Sequence, residues 1–346
     1  IKENYFQLKD KLGHIPNLWD FDKYGEMDVL RVFDNQSLGS YYKFLVKYEN
    51  DYKIRLSTDE EKVIEFVSKK FAGGKRIHEL ELLKRLLTYD HGIMSLLKRS
   101  LNENYHRNMD KQCEENIVNI MTNEFSVGSG KNTYKQCVFL EKEGDDYCRS
   151  KSFSAMLKNP DFYQILSELI DFGISRYKRD YENSYQDTDL VLYQKYTYED
   201  ACRLLHWEKN EVPLNIGGYK FDKKTKTFPV FINYDKSDEI SDTTKYEDHF
   251  ISDNLLEAIS KNGRTINSED VQNFLHARER GIDVQLFVRK NKDDKISKEF
   301  YYLGRMHATG KVKEFTMQGT DKTAVQIEWM LETPVREDLY EYIVNG

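Results

Sequence analysis

The chain has 346 residues, 39% of them hydrophobic and 32% charged, with 24 Tyr and 19 Phe against 5 Pro. That balance excludes a disordered chain and suits two or three soluble globular domains, each long enough to bury its own core. The net charge is −7, with 23 Lys/Arg against 27 Asp/Glu from residue 190 onward and 29 against 32 before it, which excludes a general polycationic coat and leaves room only for local DNA contact.

Residues 1–182 read as mostly helical. Ile1–Asp10 has the pattern of a helix, and a chain opening there without Met is what a segment of a longer protein shows. Phe44, Leu45 and Tyr48 share one helical face. Ser57 is placed to cap a helix carrying Val63, Ile64, Phe66, Val67 and Phe71, which stops at Gly73-Gly74. Further helices are expected around Leu80, Leu82, Leu83, Leu86 and Leu87, around Ile117, Val118, Ile120 and Met121, and from Pro160 to Tyr181. Pro160 favours the first turn, where no N–H bond is lost.

The polar, Tyr-punctuated stretch Arg179–Asp189 marks a boundary, giving domains of 1–185 and 186–346. Beyond it Thr197 caps a short helix over Tyr198–Leu205. Strand-like runs follow at Gly218–Phe221, Phe228–Tyr234, Val284–Arg289, Phe300–His307 and Val325–Leu331, with residues 223–227 as a hairpin turn between the first two. Short helices are expected at Leu255–Ser260 and Ser268–His276, and a last one at Arg336–Val344 behind Pro334. The fold class is therefore α+β: an N-terminal helical domain, then a mixed sheet or small barrel with short helices.

Four cysteines, at 113, 137, 148 and 202, form no CxxC pair and are expected free and reduced, as in the cytoplasm. No apolar run reaches the length of a membrane span, and no signal peptide is present. The eight His are scattered without zinc-ligand spacing and read as surface or capping residues, so no metal site is expected.

Three segments invite chemistry. Residues 127–134 (VGSGKNTY) mimic a phosphate loop, but Phe125 stands where the first Gly belongs and Asn132 where Ser or Thr must hold Mg²⁺. A polar loop is the better reading, and no catalytic residue is assigned. Asp235, Asp238, Glu239, Asp242, Glu247 and Asp248 could clamp metal in a nuclease, yet no paired strand with its Lys accompanies them, so a solvated acidic loop is expected. In residues 245–250 (KYEDHF), Tyr246 and Phe250 would share a core face if helical, or line a pocket for an extruded base.

The constellation with the clearest chemistry mixes cations and aromatics. Tyr234, Lys236, Lys245, Tyr246, Arg264, Arg289, Lys290, Tyr301 and Tyr302 are the candidate DNA contacts, with Arg and Lys for phosphate and Tyr for stacking on bases. Arg264 sits in a polar loop beside Gly263. Arg289 and Lys290 end a strand, so at least one should point outward. Of Tyr301 and Tyr302, whichever faces inward belongs to the core.

A run of motifs sets these residues in a family. PVFINYDKSD (229–238), TTKYEDHF (243–250), NGRTINSEDVQ (262–272), VQLFVRK (284–290), FYYLG (300–304) and LETPVREDLYEYI (331–343) together resemble a domain of unknown function at the C-terminal end of bacterial DEAD/DEAH-box helicases. Those helicases often carry a phospholipase-D-like nuclease in front. KLGHIPNLWDFDKYGEMDV (11–29), SYYKFLVKYENDY (40–52) and GGKRIHELELLKRLL (73–87) resemble the helical segment that follows the motor in the same proteins, whereas 88–160 matches poorly. The resemblance implies a non-catalytic DNA-recognition tail of a restriction or phage-defence helicase–nuclease. Its partners would be DNA and the motor and nuclease domains, and ATP and Mg²⁺ would belong to the motor. A protein-interaction module and a cryptic metal-dependent nuclease are the rival readings.

Overall fold

The structure is a computed structural model and describes residues 1–235, 247–291 and 298–345. It divides into two compact units, 1–183 and 184–346. No helix among the described residues is long and apolar enough to cross a membrane.

The first unit is built of helices, and their ends follow from the local sequence. Ser57 accepts from the Glu60 N–H while Glu60 accepts from that of Ser57, starting the helix Thr58–Lys70. Asn159 caps the longest helix, Pro160–Asp180, with Pro160 in its first turn. The helix Ile77–Thr88 buries Leu80, Leu82, Leu83 and Leu86 completely. It lies so close to the long helix that a Cβ on Gly173 would stand 2.7 Å from Leu80 Cδ2. A hairpin of β1 (Leu140–Glu143) and β2 (Asp146–Arg149) interrupts the helical pattern, turning at Gly144 with φ 59°.

Charges inside this unit are closed in pairs. Arg76 and Glu79, both essentially inaccessible, meet at 2.5 Å, and Arg76 also donates to Asn116 at 3.0 Å. Glu49 accepts from Tyr5 at 2.8 Å and Lys9 at 2.7 Å. Residues 128–133 form a short helix in which Lys131 pairs with Glu124 at 3.1 Å.

The second unit is a curled, half-barrel sheet. Its strands are β3 (Lys195–Tyr196), β4 (Thr227–Asp235), β5 (His249–Ser252), β6 (Leu255–Ile259), β7 (Asp283–Asn291), β8 (Phe300–Thr316) and β9 (Thr323–Leu331). Their order is β4-β7-β8-β9-β6-β5, with β3 added to β8. β4 and β7 run parallel, joined through β5, β6 and the short helices Glu269–Leu275 and Ala277–Arg280; the other pairs are antiparallel. The curl has a local cause. β8 changes register against β7 near Gly304 (φ 90°) and against β9 around Gly310 (φ 99°), and each irregularity bends a strand too long to stay flat. The ends of the strand order meet: Tyr234 of β4 stacks on Phe250 of β5 at 5.8 Å and accepts its N–H through the hydroxyl.

Four corrections to the sequence reading arise here: Gly128–Thr133 is a short helix and not a loop, Gly218–Phe221 makes the single bridge Tyr219–Val230 and no strand, and two segments near residue 250 change type. Leu255–Ser260 is not a helix: β6 alternates with a period of two, burying Leu256 and Ala258, and pairs with β9. His249–Ser252 is likewise a strand, so Phe250 reaches the core through β5 and not through a helical turn.

Candidate nucleic-acid interface

An open recess of about 550 Å³ lies on the second unit, where the segment Gly217–Asp222, the 261–264 turn and the helix Glu269–Leu275 converge. Its floor is aromatic. Tyr219 packs edge-on against Phe228 at 5.6 Å and Phe274 at 4.9 Å, and Phe221 continues the wall. Tyr219 is placed by the backbone before it, where Gly217 and Gly218 both take positive φ, and by its bridge to Val230.

Polar groups converge on Tyr219. Its hydroxyl donates to Asp270 Oδ2 at 2.6 Å and accepts the Lys261 N–H at 3.0 Å. Arg264 Nε donates to the same Asp270 oxygen at 2.8 Å. The Lys261 ammonium donates to the Tyr219 carbonyl at 2.8 Å and sits 4.6 Å from the centre of its ring. Burial, reinforced by the hydrogen bond to Asp270, pushes the Tyr219 hydroxyl far up. Burial alone would raise the Asp270 carboxyl, but the hydrogen bonds from Tyr219 and Arg264 outweigh it and hold it below the usual carboxylate range. Burial, with the Arg264 charge nearby, lowers the Lys261 ammonium.

The recess has a cationic lining. Lys220, Lys223, Lys261 and Arg264 face it, against the acids Glu269 and Asp270. Arg264 is anchored through one nitrogen while 38% of its side chain stays exposed, so the guanidinium remains accessible to an anion. The rim continues into the main sheet, since Gly263 N–H donates to the Thr323 carbonyl at 2.7 Å, where β9 begins. There β9 lies between β6 and Val312–Thr316 of β8, and the β8 segment carries Lys313 exposed, with Lys311 and Lys322 exposed beside it.

The candidates from the sequence fall in several places. Among the described residues, Arg264 is the one of the set that lines the recess. Tyr302 is the inward-facing tyrosine, fully buried and donating to Gln285 at 2.6 Å. Of Arg289 and Lys290 it is Lys290 that lies nearer solvent, while Arg289 is 6% exposed and packed 4.4 Å from the Phe300 ring. Gln285, Phe287 and Arg289 alternate onto one face of β7, and that face is covered by the Phe231, Phe300 and Tyr198 cluster. Lys290 donates to the Tyr342 carbonyl at 3.1 Å, and Tyr301, half-buried, meets the Tyr342 ring at 6.1 Å with Lys195 5.2 Å from its own. Tyr234 is engaged with Phe250. Lys236, Lys245 and Tyr246 lie outside the described residues, as do Asp238, Glu239 and Asp242 of the acidic run.

Sequence reasoning missed Tyr219, Lys220, Phe221, Lys223, Lys261 and Asp270. The signal was GGYKFDKKTK (217–226), a double glycine followed by interleaved aromatics and lysines.

A domain of unknown function, DUF3427, is present at residues 190–343, and residues 1–180 match a second domain of unknown function, DUF8090. No curated protein matches the chain. Two solved structures show a loose likeness. One is the SUVH5 SRA–methylated CHH DNA complex, 11% identical, covering 42% of this chain and 91% of that one with a TM-score of 0.27. The other is KRYPTONITE in complex with mCHG DNA and SAH, 14% identical, covering 54% of this chain and 40% of that one with a TM-score of 0.27.

Proposed function

We propose that this chain, which belongs to the DUF8090 family, recognises DNA through its C-terminal half-barrel. The observation that carries the reading is the recess: four cationic side chains and two acids around an aromatic floor, in an otherwise acidic protein. Cations clamp phosphates, the half-buried Phe221 ring can meet a base, and about 550 Å³ falls within the size range of ligand pockets.

The setting we infer is a bacterial cytoplasmic helicase–nuclease of a restriction or phage-defence system, with the helical unit joining the reader to the motor. The run of motifs from 229 to 343 supports it. ATP and Mg²⁺ act, on this reading, in the motor and not in this chain.

The test is binding of the intact chain to short labelled duplex, single-stranded and base-modified DNA across a salt series. Arg264→Ala and Lys261→Ala should each weaken binding evenly across sequences and flatten the salt slope by about 0.9 per lost phosphate contact on duplex. Folded protein that binds none of these at low salt overturns the reading. The acidic balance then favours a protein-interaction module.

A further inference from the structure

Beside the recess stands the most exposed large hydrophobic side chain among the described residues. Leu214 is 91% exposed, and Val212 next to it is 40% exposed. They are not on a loose tip. The turn Pro213–Ile216 is closed by Gly217 in the left-handed conformation, and Ile216 is completely buried beneath it. Glu211 braces the same turn, accepting from Asn215 at 2.9 Å and from Lys220 at 2.6 Å. Asn215 and Lys220 both line the recess. The fold thus anchors a short turn by its buried residue and presents an apolar side chain to water at the edge of a cationic, aromatic-floored recess.

We propose that Leu214 is an insertion residue: it enters the base stack of bound DNA and props open the step from which a neighbouring base turns toward the recess. The inference rests on the DNA reading above and deepens it. The charge pattern selects the occupant. Lys220, Lys223, Lys261 and Arg264 surround the place where the phosphates flanking an opened step would lie, and an apolar wedge between base steps is how a protein holds such a step open. A base so released finds the half-buried ring of Phe221 at the wall, with Tyr219 and Phe228 buried behind it.

The experiment uses the intact chain and a set of short duplexes, each carrying 2-aminopurine at a different position. This base is quenched when stacked and brightens when released. Wild-type protein should raise emission at one or two adjacent positions. Leu214→Ala, at a site exposed enough to leave the fold intact, should lose most of that rise while retaining most of the low-salt affinity. Leu214→Met should restore it. Binding without any rise, or a rise unchanged in Leu214→Ala, overturns the insertion role and leaves the DNA reading standing. Absence of binding overturns both. A self-association that Leu214→Ala abolishes, with the emission response unchanged, assigns the residue to a contact between copies and overturns the proposal.

Discussion

The half-barrel unit is the more acidic, with 23 Lys/Arg against 29 Asp/Glu over 184–346, where the helical unit has 29 against 30 over 1–183, yet it is the half-barrel that leaves the recess cations within reach. In the helical unit Arg76 and Glu79 are sealed together, and Glu49 is closed by Tyr5 and Lys9. In the half-barrel, Lys261 and Arg264 are held in place by partners yet remain within reach of solvent. Net charge is therefore a poor guide to which unit meets a polyanion. What distinguishes these two sites is whether a cation is sealed with its partner or positioned by it within reach of solvent.

The strongest way to break this comparison is at Arg76. Arg76→Ala takes the guanidinium away from the buried Glu79, which costs about 3–5 kcal/mol. Thermal unfolding followed by far-ultraviolet circular dichroism should show the loss, while DNA affinity per folded molecule stays unchanged. Replacing both Arg76 and Glu79 by Leu should recover part of the stability, because no buried charge of the pair remains, while Asn116 still loses the donor it had in Arg76. A drop in affinity that persists in well-folded Arg76→Ala protein would place the helical unit in the interface and dissolve the contrast.

A smaller effect is expected at Gly304, where the half-barrel takes its bend. Its φ of 90° is strained for any other residue, and an added Cβ would stand 3.2 Å from Leu192 and Tyr185. Gly304→Ala should cost about 1–3 kcal/mol, read as a lower denaturation midpoint. The corresponding change at Gly310 meets nothing within 4 Å, so only the backbone strain remains and the loss should be the smaller of the two. Equal losses at both positions would mean that the close packing at Gly304 contributes nothing.

How far the sequence was legible follows the same division. Helices of the first unit announce themselves, because caps such as Ser57 and Asn159 act within a few residues of the turns they close. Leu255–Ile259 was misread since it contains good helix formers; its pairing with β9, some seventy residues on in the chain, overrides that preference. The outer half of β8 was missed because Gly310 and the exposed Lys311, Lys313 and Glu314 leave only Val312 and Phe315 as apolar positions, three apart and not at a strand's period of two. At the site, Arg264 was visible from its polar, Gly-containing loop. Tyr219, Lys261 and Asp270 were not, because they are far apart in sequence and meet only once β4 and the helix Glu269–Leu275 are packed. For Arg289 the alternation was readable, but not the aromatic cover on its face of the sheet.

The smallest effect tests whether the recess network positions its cation or merely fills space. Asp270 is held below its ordinary range, burial being outweighed by hydrogen bonds from Tyr219 and Arg264. A carboxyl lowered on folding binds fewer protons in the native state than in the unfolded one. Its contribution to stability is therefore complete above the unfolded value, about 3.9, and is lost as the pH falls through the lower folded value. Asp270→Asn lacks that contribution at every pH. The stability gap between wild type and variant should be widest near neutrality and shrink below about pH 4. A gap that stays constant with pH would show that the two side chains differ only in packing. Arg264 would then owe its position to the loop around it and not to the carboxylate.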